Sequence, residues 1–195
     1  MKNRNLYLWA GIPVGVLAIL FPHILPKFQL RMVTEIVILA LFTMTWKMML
    51  NEGGLFSFGH ALYFGLGAYV SVLGWLHIKG LSMGSGILLG GLTAGLIGFI
   101  LGVFLVRMSG TYYALLTLAF NQFVWAIVWK WRGVTGGDDG LGNFPKPDLL
   151  GISMENPANF YYLTLMIVAI CLTLCWHFTK TPLGNVVKGI KSNEE

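Results

Sequence analysis

Charge is scarce in this sequence. Only 11% of its 195 residues are Asp, Glu, Lys or Arg, against 56% hydrophobic residues, where a soluble domain carries about 25% charge. A surface so poor in charge cannot keep a globular chain dispersed in water, so the soluble classes are excluded. Cysteine is scarcer still. Cys171 and Cys175 are the 2 present, four positions apart inside one apolar run and too far apart along a helix to bridge. They read as packing residues without a redox role. The 4 histidines are scattered, which leaves no ligand set for a metal, and no cofactor is expected. The 13 Lys and Arg against 8 Asp and Glu form no basic stripe, so nucleic acid is not a partner. No paired nucleophile and base marks an intramembrane enzyme either.

What is present is apolar sequence in long blocks, with a mean hydropathy of +0.71. Blocks of about 20 apolar residues are spans in lipid, because a helix rises about 1.5 Å per residue and the hydrocarbon is about 30 Å thick. The expected class is an all-α polytopic membrane protein in a single domain, residues 1–195, with membrane lipid as its solvent. About six transmembrane or re-entrant segments are expected, at 6–25, 32–50, 55–76, 81–106, 110–129 and 160–178. The first follows Lys2 and Arg4 as in a signal peptide, but "FPHILPKF" offers no small-x-small cleavage site, so it reads as an uncleaved span. An even count and basic termini place both ends on the cytoplasmic side and residues 130–159 outside, as an extracytoplasmic loop, although Lys and Arg divide almost evenly between the sides. Glu35 and Lys47 lie near opposite ends of the second segment, where each can reach its interface.

Three segments carry more than hydropathy. "NEGGLFSFGHALYFGLGAYVSVLGWL" is punctuated by Gly53, Gly54, Gly59, Gly65 and Gly67, with Ser57 and His60 among them. Glycine-interrupted apolar segments are the sequence signature of broken helices lining translocation paths, and an ionisable residue at membrane depth is a functional candidate. A structural histidine bonded to a neighbouring helix is the other open reading of His60. In the next segment Gly91, Gly95, Gly98 and Gly102 share one face, which suits close helix packing. "SGTYYALLTLAFNQFVWAIVWKW" places Tyr113, Thr117 and Asn121 at i, i+4, i+8. This polar stripe must face protein or a watery cavity. The pathway candidates are therefore Ser57, Gly59, His60, Gly65, Gly67, Tyr113, Thr117 and Asn121. The glycine-rich run Thr135, Gly136, Gly137, Asp138, Asp139 and Gly140 suits an exposed docking loop, and its spacing does not fit a calcium loop.

The last fifteen residues, "TPLGNVVKGIKSNEE", are charged and helix-patterned. Thr181 can cap and Pro182 suits the first helical position. Leu183, Val186, Val187 and Ile190 recur at i, i+3, i+4, i+7, with Gly184, Lys188, Lys191 and Glu194 completing a short amphipathic helix. Gly184, Gly189, Lys191 and Ser192 do not make a phosphate loop, because Ile190 separates the Gly from the Lys. The chain therefore holds no nucleotide site of its own.

Three stretches together resemble the LivH/LivM-type permeases of branched-chain amino acid ABC importers. "GGLFSFGHALYFGLGAYVSVL" is similar to that family's Gly-x-Leu-Ser-x-Gly-His segment, with Phe56 in place of the usual Leu. "SGTYYALLTLAF" followed by "TGGDDGL" resembles the LivM branch, and "PLGNVVKGIKSNEE" resembles its cytoplasmic coupling segment. In that last stretch Asn185, Gly189, Lys191 and Ser192 depart from the usual Arg, Ala, Arg and acid. The similarity runs over about residues 40–195. It implies a permease subunit in a bacterial or archaeal inner membrane, working with a second, LivH-like permease, two cytoplasmic ATPase subunits and an extracytoplasmic substrate-binding protein. It also implies that 181–195 begin a coupling helix seated in an ATPase groove, that 135–140 meet the binding protein, and that the chain as given stops short of the family's further spans. Relatives carrying urea or short amides share these segments. A secondary transporter or channel, the remaining alternative, needs intramembrane charge pairs, for which only Glu35, Lys47 and His60 are eligible.

Overall fold

A computed structural model describes residues 15, 18–108, 110–142, 144 and 146–192, of which 190–192 by backbone alone. The described part of α1 covers residues 18–24. It is followed by α2 (Lys27–Gly53), α3 (His60–His77), α4 (Met83–Leu105), α5 (Gly110–Lys130), α6 (Arg132–Thr135), α7 (Pro157–Phe178) and α8 (Pro182–Ser192). Among the described residues the only extended pairing is an isolated bridge between Leu149 and Ile152. The chain is an all-α polytopic membrane protein. α2, α4, α5 and α7 are long and apolar enough to cross a membrane. Their large side chains face outward: Leu92 is 72% and Phe99 73% exposed. In lipid that exposure is favourable, because hydrocarbon is as apolar as the side chains.

Several expected boundaries move. The first segment, 6–25, lies mostly outside the described residues. The third begins as a helix at His60, not at residue 55, because residues 54–59 have no regular structure. The fourth begins at Met83, where Ser82 caps it by accepting from the Ser85 N–H. The sixth begins at Pro157 rather than 160, because Asn156 accepts from the Ala158 N–H at 3.1 Å and proline suits the first turn. Residues 130–159 are not wholly loop, since they hold α6 and the first turn of α7.

The packing glycines of α4 also differ from the expected face. A Cβ on Gly90 would run into the Gly67 carbonyl and Ser71 Oγ of α3, and one on Gly86 would run into the Trp75 indole. Of the expected row, a Cβ on Gly98 would lie 3.5 Å from Tyr63, while one on Gly91, Gly95 or Gly102 would meet nothing within 4 Å among the described residues. Glycine recurs on almost every turn of α4, so sequence spacing does not reveal which row meets α3. Ser71 closes the contact by donating to the Gly67 carbonyl at 2.9 Å.

The helices run between two ends. At one, Trp75 lies against Phe144, and the Met83 N–H donates to the Asp148 carbonyl at 3.5 Å, so the α3–α4 turn and the segment after α6 sit together. The start of α2 lies there too, since Arg31, Thr34, Glu35, Phe144, Lys146 and Phe160 line one cavity of 580 Å³. At the opposite end α8 packs on the end of α2. Lys188 Nζ is 3.0 Å from Glu52 Oε2. The 130–159 segment and α8 therefore cap opposite ends of the bundle.

Candidate functional site

The site is built around the interruption between α2 and α3. Gly54 ends α2 in the left-handed conformation (φ 67), its N–H donating to the Leu50 carbonyl at 3.1 Å. Glycine reaches that conformation without strain. Non-helical backbone at membrane depth must find partners, since lipid supplies none. Here two helices supply them. The Trp46 indole N–H of α2 donates to the Ser57 carbonyl at 2.9 Å. Thr117 Oγ1 of α5 accepts from the Phe58 N–H at 3.1 Å and donates to the Ala114 carbonyl at 2.8 Å. Within the interruption, Ser57 Oγ accepts from the Gly59 N–H at 3.1 Å. Ser57 and Thr117 are both buried.

Gly59 makes this seam tight. A Cβ there would sit 3.2 Å from the Thr117 carbonyl oxygen and 3.3 Å from Thr117 Cβ. His60 opens α3 and turns towards α2, with Nε2 2.9 Å from Thr45 Oγ1. The Thr45 hydroxyl donates to the Phe42 carbonyl at 2.8 Å. A hydroxyl has a single proton to give, so His60 must donate from Nε2 in this arrangement. The ring packs edge-on against Phe42 with centroids 5.0 Å apart. Its geometry is that of a structural histidine tied to a neighbouring helix.

Beside the seam lies a cavity of 500 Å³, whose lining includes Gly54, Phe56, Phe58, Gly110, Thr111 and Tyr113. Phe56 stacks edge-on against both Trp46 (5.7 Å) and Phe58 (4.9 Å). Of the eight pathway candidates, Tyr113 lines this cavity, while Ser57, Gly59 and Thr117 belong to the seam and are not among its lining residues. Gly67 packs on α4. A Cβ on Gly65 would meet nothing within 4 Å among the described residues. Asn121 is half-buried one turn beyond Thr117. Sequence reasoning missed Thr45, Trp46, Phe56, Phe58 and Thr111. Trp46 carried a legible signal, because a Trp inside an apolar run still has an N–H to satisfy.

At the α8 end, Thr181 caps the helix, its Oγ1 accepting from the Gly184 N–H at 3.3 Å. Gly184 is buried where a Cβ would meet the Phe178 carbonyl, so α8 turns sharply off α7. Val187 faces α2, 3.8 Å from where a Gly53 Cβ would stand. Lys188 joins Glu52 and also donates to the Thr179 carbonyl at 3.2 Å. The expected apolar stripe therefore divides. Leu183 (69%) and Val186 (58%) are exposed, while Val187 is half-buried against α2. The side chains of Ile190 and Lys191, and all of Glu194, lie outside the described residues.

At the other end Thr135 is buried, its single hydroxyl proton shared between the Val128 carbonyl at 2.6 Å and the Trp131 carbonyl at 2.8 Å, and its oxygen accepts from the Gly137 N–H at 3.3 Å. Gly136, Gly137 and Gly140 all have positive φ, and a Cβ on Gly136 would overlap Gly140. This tight glycine frame leaves Asp138 and Asp139 exposed. Nearby, burial and the Arg31 charge hold the Lys146 ammonium below the usual lysine range.

Residues 29–195 match the family model described as a permease component of branched-chain amino acid transport systems. The chain is 25% identical over 202 residues to the high-affinity branched-chain amino acid transport system permease protein LivM of Escherichia coli (strain K12), covering 92% of this chain and 47% of that protein. It is 24% identical over 215 residues to the protein of the same name from Salmonella typhimurium, covering 98% and 50%. The chain thus spans about half the length of the curated relatives it matches. No solved structure matches.

Proposed function

Because the chain belongs to the family of permease components of branched-chain amino acid transport systems, we propose that it supplies the spans of an ABC importer that moves branched-chain or related amino acids across a bacterial or archaeal inner membrane. The family is one of transport components rather than enzymes. In this reading the energy comes from two separate cytoplasmic ATPase subunits, and a second, LivH-like permease completes the pathway. The 135–140 frame, with exposed Asp138 and Asp139, meets an extracytoplasmic binding protein.

The observation that carries the reading is the continuity from α8 to the cavity. α8 is held to Glu52 and Gly53 by Lys188 and Val187, and the next residues, 54–59, are the interruption beside the 500 Å³ cavity. Leu183 and Val186 remain exposed for a groove of the ATPase. A push on α8 thereby reaches Phe56, which lines the cavity, through three residues of chain beyond Gly53 rather than through a long path of contacts. Burying each aliphatic side chain in such a groove is worth about 1.5 to 3 kcal/mol, enough to carry a mechanical load.

The test is reconstitution of the full-length permease with its ATPase, second permease and binding protein in vesicles. ATP-dependent leucine accumulation is expected. Uptake that proceeds without ATP, driven by an ion gradient, would replace the importer with a secondary transporter.

A further inference from the structure

A third cavity, of 620 Å³, opens between α2 and α7 at the α8 end of the bundle, and its lining includes Ala40, Met44, Lys47, Met48, Cys175 and Trp176. Most of that wall is apolar, but one edge is cationic. Lys47 lies in α2 six residues before its end, about 9 Å along the axis at 1.5 Å per residue. It is exposed, and among the described residues no carboxylate lies within ion-pair distance of it. The one carboxylate lining the cavity, Glu52, is taken by Lys188. Lys180 follows the lining residue Thr179, and its Nζ stands 3.5 Å above the ring of Trp176, which also lines the cavity.

A lysine within a spanning helix, with no carboxylate among the described residues at ion-pair distance, is costly in hydrocarbon, and the cost is met either by snorkelling or by an anion brought to it. A Lys–Trp pair at the rim sets the depth at which headgroups lie, because Trp and Lys both anchor at the interface. Basic edges on grooves between spans attract anionic lipid headgroups. The geometry points to this groove as a binding site for an anionic phospholipid, with its phosphate between Lys47 and Lys180 and an acyl chain along Met44, Met48 and Trp176. The groove shares Glu52 with the α8 contact, so an occupant would lie against the residue that positions α8. The site is independent of what the permease carries.

The experiment uses the assembled full-length permease, exchanged into detergent and offered either phosphatidylglycerol or phosphatidylcholine, with bound lipid counted by native mass spectrometry. Phosphatidylglycerol should be retained over phosphatidylcholine. Lys47→Gln and Lys180→Gln should each reduce its retention by about fivefold, and together by about 25-fold, from roughly one unit of headgroup attraction per basic residue. Lys47→Arg should restore retention, and unchanged thermal midpoints separate lost binding from lost folding. Equal retention of the two lipids by the unaltered protein overturns the proposal, as does full phosphatidylglycerol retention by the double variant. Absence of any lipid together with protection of Lys47 from amine labelling also overturns it, since a protein surface then fills the groove.

Discussion

Thr117→Val isolates the bond that holds the interruption against α5. Its hydroxyl accepts from the Phe58 N–H at 3.1 Å and donates to the Ala114 carbonyl at 2.8 Å. Valine nearly matches its shape, so packing around this buried position changes little while the acceptor disappears. The Phe58 amide then sits in a protein-lined seam with no partner. Leaving one buried donor unpaired costs about 1 to 3 kcal/mol. The Ala114 carbonyl loses only a second donor, a smaller effect, because α5 still bonds it. If the cost falls on local opening of residues 54–59, that opening becomes about 5 to 150 times more frequent, at a factor of ten per 1.4 kcal/mol. Hydrogen exchange of peptides spanning 54–60, followed by mass spectrometry on the full-length permease in nanodiscs, reads this directly. Thr117→Val should accelerate exchange there within that range and leave α4 unaffected. Thr117→Ser, which keeps the hydroxyl, should stay near the unaltered protein. Exchange at 54–60 unchanged by Thr117→Val would mean that the hydroxyl does not hold the interruption.

Gly59→Leu should abolish uptake while leaving membrane insertion intact, since its Cβ alone stands 3.2 Å from the Thr117 carbonyl; immunoblots of membranes beside transport assays check both. Lys188→Glu should lower coupling between ATP hydrolysis and uptake with little loss of stability, because a pair this exposed contributes about 0 to 1 kcal/mol. Adding Glu52→Lys should recover coupling, and a double variant no better than the single one would deny the pair its positioning role. A cysteine at Asp139 should react with impermeant maleimide in intact spheroplasts, and one at Gly189 only after lysis; the reverse pattern would invert the orientation of the bundle.

Much of the architecture could be read from the chain itself, for reasons that differ between elements. Hydropathy located α2, α4, α5 and α7 because a lipid-exposed span must be apolar and must bond its own backbone. The cluster Gly53, Gly54 and Gly59 pointed to irregular backbone, and the interruption at 54–59 falls within it. The cap at Thr181 and the start of α8 at Pro182 were legible because capping is local chemistry. The partners were not legible. Nothing near Ser57 in sequence announces Trp46 or Thr117, and nothing near Glu52 announces Lys188, since these pairs exist only once helices pack. The same limit hid the use of Gly86 and Gly90 in place of Gly91 and Gly95. It also hid the turning of Val187 towards α2, because helical periodicity gives a face and not its neighbour. α6, a single turn of four residues, is too short to carry a period at all.

The claim that α8 couples an ATPase to the cavity at 54–59 is tested most directly by Val186→Asp in the reconstituted full-length importer. Val186 is 58% exposed and belongs to the half of the stripe turned away from α2. A carboxylate there leaves the fold of this chain intact but cannot enter an apolar groove without losing its hydration. The measurement is leucine transported per ATP hydrolysed. This ratio should collapse in Val186→Asp while the permease is recovered from membranes in normal amount. A ratio equal to that of the unaltered importer would contradict the claim, and α8 would then be a surface helix that merely ends the bundle.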